Sequence, residues 1–345
     1  MKILVCGGAG FIGSDFVRRR LTQTSDSIVV LDKLTYAGNR VNLAPVESEP
    51  GLAERFRFVH GDIADEQAVR VLVEGADAVV NFAAESHVDR SILDAEAFLR
   101  TGVIGVHVLL EAVREAGTRH QVRFLQVSTD EVYGAVEHGL SVETDPLAPR
   151  SPYAAAKAAG ELLVRAYATT HGLDTVITRG ANTYGPYQHP EKLIPLFITN
   201  ALADQELPLY GDGLQERDWL HVDDHADAVG FVLDNGQAGE TYNICAGLLL
   251  TNRDVTARVL DLTGKPWSLV RSVPDRPGHD RRYAMDGSKL AALGWRPSVA
   301  LDDGLPATVR WYTDNKAWWN AMRSNDFDAY YEQQYGWRLA SSTPI

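Results

Sequence analysis

Ile3-Leu4-Val5-Cys6-Gly7-Gly8-Ala9-Gly10-Phe11-Ile12-Gly13 runs an apolar stretch straight into glycines spaced GxxGxxG (Gly7, Gly10, Gly13), and a helix-like run follows. Residues without side chains permit a tight turn, close approach of backbone N–H groups to a diphosphate, and close helix packing. The N-terminal end of the helix then stabilises the diphosphate charge. A glycine triplet alone is a weak signal. Here a second strand-like stretch ends at Asp32, 19 residues after Gly13. A carboxylate there is placed to accept hydrogen bonds from an adenosine ribose diol, and it repels a 2′-phosphate. Together the two features predict a strand–loop–helix unit that binds NAD rather than NADP.

Outward from this unit the first half alternates strand-like and helix-like segments. Ile3–Cys6, Ile28–Leu31, Phe56–Val59, Ala78–Ala84 and Val122–Ser128 are short and apolar on both faces, and helix-length stretches such as 65–74 and 91–116 separate them. This pattern predicts a parallel sheet covered on both sides. The expected architecture is α/β, a Rossmann-type doubly wound parallel sheet over residues 1–180. A smaller substrate-binding lobe is expected over 181–330, where Pro186, Pro190, Pro195 and Pro208 punctuate shorter elements, and a tail over 331–345. Four of the seven tryptophans (Trp311, Trp318, Trp319 and Trp337) crowd the end of the chain with Tyr330, Tyr331 and Tyr335. They are expected to form a packing patch that staples the tail to the body.

Composition narrows the class. With Lys plus Arg at 33 and Asp plus Glu at 46, the formal charge is −13, which disfavours binding to nucleic acid. Hydrophobic residues at 45% and charged residues at 23% are ordinary globular proportions and exclude a disordered or fibrous chain. Cys6 and Cys245 are too few for a disulfide framework or a cysteine metal cluster, so a reducing cytoplasm is expected. No apolar run approaches ~18 residues, so no membrane span is expected. The glycines from Gly7 onward interrupt the first apolar stretch too early for a signal peptide.

Tyr153-Ala154-Ala155-Ala156-Lys157 follows Ser151-Pro152 at a helix start. Residues four apart share a helix face, so phenol and ammonium look the same way. A free tyrosine, with pKa ~10, is a poor base at neutral pH. Bringing it down by ~3 units takes ~4 kcal/mol, which Lys157 and a nicotinamide positive charge are expected to supply together. Val127-Ser128-Thr129 precedes this segment at the end of a strand.

With Thr129, Tyr153 and Lys157 in place, the chain resembles the extended short-chain dehydrogenase/reductase superfamily. The resemblance narrows to the dTDP-glucose 4,6-dehydratase family through Asp32-Lys33-Leu34-Thr35-Tyr36-Ala37-Gly38-Asn39, Ala84-Glu85-Ser86-His87-Val88-Asp89-Arg90-Ser91, Ser128-Thr129-Asp130-Glu131-Val132-Tyr133-Gly134, Tyr184-Gly185-Pro186-Tyr187, Pro190-Glu191-Lys192-Leu193-Ile194-Pro195, Arg217-Asp218-Trp219 and Asp275-Arg276-Pro277-Gly278-His279-Asp280. It covers roughly residues 1–320. It implies that NAD is lined by Phe11, Ile12, Asp32, Lys33, Leu34, Thr35, Asp62, Ile63, Ala83, Ala84 and Thr101, with Thr183 near that pocket and Tyr153 and Lys157 on the nicotinamide ribose. It implies that Ser86, Asn182, Lys192, Leu193, Ile194, Pro195, Leu196, Phe197, Leu209, Tyr210, Arg217, Asn252, Arg276 and His279 hold the nucleotide sugar. Arg217 and Arg276 suit a diphosphate because guanidinium forks match its oxygens.

The residues agree with the resemblance. An oxidation or a 4-epimerisation needs only the hydroxyl, the tyrosine and the lysine, whereas Asp130 and Glu131 add an acid and a base, as an elimination requires. Both reach one sugar only if the chain leaves strand geometry after Thr129. The implied sequence has Tyr153 taking the 4-hydroxyl proton, Glu131 the C5 proton, and Asp130 protonating the departing C6 hydroxyl. Asp130 must then hold its proton near neutrality, with an ionised Glu131 raising its pKa.

Gly102, Ala156 and Thr183 depart from the family pattern of asparagine, serine and asparagine. His221 and His225 have metal-like spacing, but the segment also reads as a helix start with acids in its first turn, and no metal is expected. Apolar residues on 91–116 (Val103, Ile104, Val106, Val108, Leu109, Leu110) and on 151–171 (Leu162, Leu163, Val164) exceed what one sheet face covers, which predicts a homodimer.

Overall fold

The computed structural model describes residues 1–323 and 325–344. Seven parallel strands form the central sheet: β1 (Lys2–Cys6), β2 (Ser27–Asp32), β3 (Phe56–His60), β4 (Ala78–Asn81), β5 (Arg123–Thr129), β6 (Thr175–Gly180) and, after β7 (Asn182–Tyr184), β8 (Leu207–Tyr210) and β9 (Glu216–His221), β10 (Thr241–Ile244). Their order is β10-β6-β5-β4-β1-β2-β3. The strand order therefore reverses between β1 and β4, and such a reversal opens a crevice at the carboxyl ends.

Alternate side chains of each strand feed two cores. Ile3, Val5, Ile28, Val30, Val80, Leu125 and Val127 pack with Phe16, Val17, Val229 and Val232 of the helices Phe11–Gln23 and Val222–Asn235. Leu4, Cys6, Leu31, Val79, Phe124 and Ile177 pack with Val69, Val73, Leu109, Val113 and Val164 on the opposite face. Burying such a side chain stabilises by roughly 1.5–3 kcal/mol relative to exposure. Both faces being covered accounts for the continuously apolar strands.

A third core gathers Ile194, Phe197, Leu207, Val255, Leu305, Tyr312 and Trp319 from the second half. Beside it lie two small sheets, β7 and β9 with β11 (Leu249–Thr251), and β8 with β12 (Val270–Val273) and β13 (Thr343–Pro344).

Two elements differ from the sequence reading. The strand expected over Ala78–Ala84 stops at Asn81, where Oδ1 accepts the Ala83 N–H at 3.1 Å and turns the chain toward the glycine loop. The helix expected over 91–116 is broken into Val88–Leu93, Glu96–Leu99, a π-helical turn Arg100–Gly105 and Val106–Ala116. The break accompanies close packing: a Cβ on Gly160 would lie 2.6 Å from the Gly102 carbonyl oxygen, and one on Gly102 would lie 3.1 Å from Ala156 Cβ. Two of the three departures from the family pattern therefore touch each other.

Candidate active site

The crevice at the ends of β1 and β4 is shaped by backbone. Gly7 has φ +74°, and a Cβ there would lie 2.6 Å from the Ala83 nitrogen; one on Gly13 would lie 2.3 Å from the Gly7 carbonyl oxygen. Gly10 caps the Phe11–Gln23 helix without any side-chain acceptor, so the first-turn N–H groups stay free for an anion. Asp32 ends β2, accepting the Ala9 N–H at 2.9 Å and the Leu34 N–H at 2.8 Å, and burial raises its pKa. Each carboxylate oxygen keeps a lone pair for a diol.

Gly7, Gly10, Phe11, Ile12, Gly13, Asp32, Lys33, Thr35, Asp62, Ile63, Ala83, Ala84, Thr101 and Thr183 all line this cleft. Leu34 does not; its φ of +53° turns it away while its N–H holds Asp32. Lys33 is paired with Asp62 at 3.0 Å. A glycine-walled cleft, an uncapped helix start and a buried ribose-facing acid are the features an NAD diphosphate and adenosine ribose require.

Thr129, Asp130, Glu131, Tyr153 and Lys157 line the same cleft. Thr129 is the last residue of β5, and a 3₁₀ turn begins at Asp130, so the chain leaves strand geometry where two carboxylates must converge. The Thr129 hydroxyl accepts the Glu131 N–H at 3.3 Å and donates to Asp130 Oδ1 at 3.0 Å. Burial, then the neighbouring Glu131, pushes Asp130 up to about 7. Burial also raises Glu131, against the pull of Arg276, Lys192 and Arg217.

Ser151 caps the Pro152–His171 helix by accepting the Ala154 N–H at 3.1 Å, with Pro152 at its first position. That sets Tyr153 in the first turn and Lys157 one turn on. Burial raises the Tyr153 phenol, Glu131 and Asp130 push the same way, and a hydrogen bond with Thr129 opposes them. Lys157 is buried on the same helix. Its ammonium donates to the Val127 carbonyl at 2.8 Å, and burial brings it down to about 8.

A second cleft, walled by side chains, meets the first. Glu131, Asn182 and Lys192 line both. Leu193, Leu196, Phe197, Leu209, Tyr210, Arg217, Asn252, Arg276 and His279 line the second, whereas Ser86 lies on the cofactor side and Ile194 and Pro195 face the core. Asp89 ties the wall together: Oδ1 accepts Arg276 at 3.0 Å, Oδ2 accepts the Tyr210 hydroxyl at 2.9 Å, and despite burial it is held at about 2. Arg217 stacks on Tyr283 at 4.2 Å and donates to the Asp280 carbonyl at 2.8 Å. The Arg276 Nε has no partner among the described residues.

Sequence reasoning missed several neighbours. Arg90 lies between the rings of Tyr36 and Tyr330, 4.1 Å from each, and pairs with buried Glu191 at 2.9 Å. The Tyr36 hydroxyl accepts the Ser86 and His87 N–H groups, each at 3.2 Å. The aromatic tail does more than staple: Tyr330 bonds His87 at 2.9 Å, Gln334 donates to Tyr210 at 2.6 Å, and Tyr335 lines the second cleft.

His221 caps the Val222–Asn235 helix. His225 lines the cofactor cleft, its Nδ1 2.7 Å from the Thr183 hydroxyl, so the third departure is bonded to a neighbour. Cys6 and Cys245 are buried thiols whose pKa burial raises.

Residues 4–308 match the family model described as GDP-mannose 4,6 dehydratase. A dTDP-glucose 4,6-dehydratase of Streptomyces niveus is 53% identical over 333 residues, covering 94% of this chain and 97% of that one. A low-salt glycan biosynthesis protein of Haloferax volcanii is 52% identical over 312 residues, covering 90% and 98%. The crystal structure of a dTDP-glucose 4,6-dehydratase from Streptomyces venezuelae with NAD bound superposes with TM-score 0.90 at 54% identity, covering 93% of this chain and 100% of that one.

Proposed function

The chain belongs to the GDP-mannose 4,6-dehydratase family, and on that premise we propose that it converts dTDP-glucose to the 4-keto-6-deoxy sugar with NAD. The observation that carries this reading is the carboxyl pair at the seam of the two clefts, Asp130 buried and Glu131 half-buried, with Asp130 pushed up to about 7. NAD, when bound, supplies the acceptor for the C4 hydride and returns that hydride to C6. Gly7, Gly10, Gly13 and Asp32 would hold it.

Tyr153 takes the 4-hydroxyl proton while Thr129 hydrogen-bonds the same oxygen. The ketone acidifies C5–H, Glu131 removes that proton, and Asp130, still protonated near neutrality, gives its proton to the departing C6 hydroxyl. Arg217 and Arg276 hold the diphosphate, and Lys192 sits where both clefts meet.

Mass spectrometry after incubation with a nucleotide-sugar panel tests this reading. dTDP-glucose should lose one water. A product of unchanged mass would mark an epimerase, and loss of carbon dioxide a decarboxylase.

Assembly as a homodimer is part of the proposal. Val106, Val108, Leu109, Leu110 and Val164, counted toward the interface above, are core residues. Leu99, Ile104 and Leu162, each about half exposed, carry the expected face instead. Sedimentation equilibrium at micromolar concentration should give the dimer mass. No helix among the described residues is long and apolar enough to cross a membrane, and a cytoplasmic location is proposed with two unpaired thiols in support.

A further inference from the structure

His225 lines the cofactor cleft, is 2% exposed, and takes no part in the steps above. Its ring lies against Gly180 at the end of β6: a Cβ there would lie 2.2 Å from His225 Cε1 and 2.6 Å from Nε2. Gly180 pairs with Thr129 across β5, and both residues line the cleft. The Cε1–Nε2 edge of the ring therefore sits at the end of the cleft that holds Thr129. Nε2 is buried there with no hydrogen-bond partner among the described residues. Buried polar atoms are almost always paired, so an orphan in a cleft wall points to a ligand that completes it.

The other ring nitrogen decides what Nε2 offers. Thr183 Oγ1 lies 2.7 Å from Nδ1 and gives its single hydrogen to the Ala181 carbonyl at 3.0 Å. The hydroxyl must then accept from Nδ1–H, which leaves a lone pair on Nε2. Burial and the nearby Lys157 ammonium push the ring down to about 4, so it stays neutral and keeps that lone pair near neutrality. Its complement is an N–H donor. With the diphosphate at the glycines and the adenosine ribose at Asp32, the nicotinamide would fall at the Thr129 end, and its carboxamide carries N–H groups. We propose that His225 Nε2 accepts an N–H of the nicotinamide carboxamide and so fixes how the ring is turned. Thr183 is the positioning residue that holds His225 in the required tautomer. The assignment rests on NAD as the cofactor and not on the identity of the sugar.

The test is calorimetric binding of cofactor analogues to the full-length chain freed of NAD. NAD carries the amide, 3-acetylpyridine adenine dinucleotide has a methyl in place of the NH2, and ADP-ribose lacks the ring altogether. The parent should bind NAD about tenfold more tightly than the acetylpyridine analogue, a moderate value for one buried hydrogen bond whose acceptor is left unpaired. His225→Phe keeps a ring over Gly180 but no nitrogen. It should bind NAD about tenfold less tightly than the parent, with the analogue and ADP-ribose within about twofold of their parent values. His225→Gln, whose amide oxygen can stand in for Nε2, should keep most of the preference for NAD.

A parent that binds NAD and the acetylpyridine analogue equally overturns the assignment, and that comparison decides even where His225→Phe fails to fold. An equal loss of NAD and ADP-ribose in His225→Phe also overturns it and limits His225 to packing over Gly180. A parent that binds no dinucleotide at all overturns the cofactor reading itself, a distinct result.

Discussion

Gly7, Gly10 and Gly13 shape the cofactor cleft by what they lack, whereas Asp89, Lys192, Arg217 and Arg276 shape the substrate cleft by what they carry. The first is backbone brought close: a carbonyl or N–H group lies 2.3 to 3.3 Å from where each side chain would begin. The second is a set of charges, buried at Asp89 and Arg217 and half-buried at Lys192 and Arg276, tied together by Asp89 held between Arg276 and Tyr210. The contrast matches the ligands. A dinucleotide common to many enzymes needs close approach and a dipole, while one particular sugar nucleotide needs charges at fixed points. Glu131 belongs to both walls, which puts the proposed C5 base where the two modes meet.

The largest effects should come from that seam. Glu131→Gln should lower dehydration by ~10²–10⁴ while the 4-keto sugar and NADH accumulate, seen by near-ultraviolet absorbance. Tyr153→Phe should show no NADH at all, because the first step fails. If Glu131→Gln dehydrates within a factor of a few of the parent, the seam is not where C5 loses its proton.

On the cofactor side, Gly13→Ala forces a methyl to within 2.3 Å of the Gly7 carbonyl. Overpacking of this kind costs ~1–3 kcal/mol, which should weaken NAD by about 10–100-fold in a calorimetric titration while leaving dTDP affinity intact. Equal losses for both ligands would dissolve the distinction between the two clefts.

Asp32 should make NADP bind at least about tenfold worse than NAD, since a 2′-phosphate meets a buried carboxylate. Comparable dissociation constants would remove Asp32 from the ribose.

The smallest effect is in pH. Asp130, the proposed acid, has its pKa raised to about 7. Its working form is lost as pH rises, so kcat should fall about threefold between roughly pH 6.5 and 7.5. Glu131, the proposed base, is also raised, so its working form should be lost as pH falls. The upper limb should disappear from the pH–rate profile of Asp130→Asn.

The same contrast explains what could be read without coordinates. The glycine spacing, Asp32, and Tyr153 four residues before Lys157 are local, because a strand, a turn and one helical repeat fix them. The end of β4 is hidden because Phe82-Ala83-Ala84 is as apolar as a strand, and the Asn81 side chain, accepting the Ala83 N–H, diverts it toward Gly7. The substrate wall came mostly from resemblance, since Asp89, Lys192, Arg217 and Arg276 share no spacing. Arg90 between Tyr36 and Tyr330 has no local signature at all; its partners lie far apart in sequence and converge only when the tail docks. The same distance hid β10 returning to the first sheet and His225 facing Thr183.

That docking sets an order of completion as the chain leaves the ribosome, N-terminal parts first. The cofactor cleft draws its walls from residues up to His225, and β10 closes the sheet edge soon after. The substrate cleft waits for Tyr335, far further along the chain. A nascent chain should therefore capture dinucleotide before it can recognise any sugar. The cofactor would then serve as a scaffold around which the later segments finish folding.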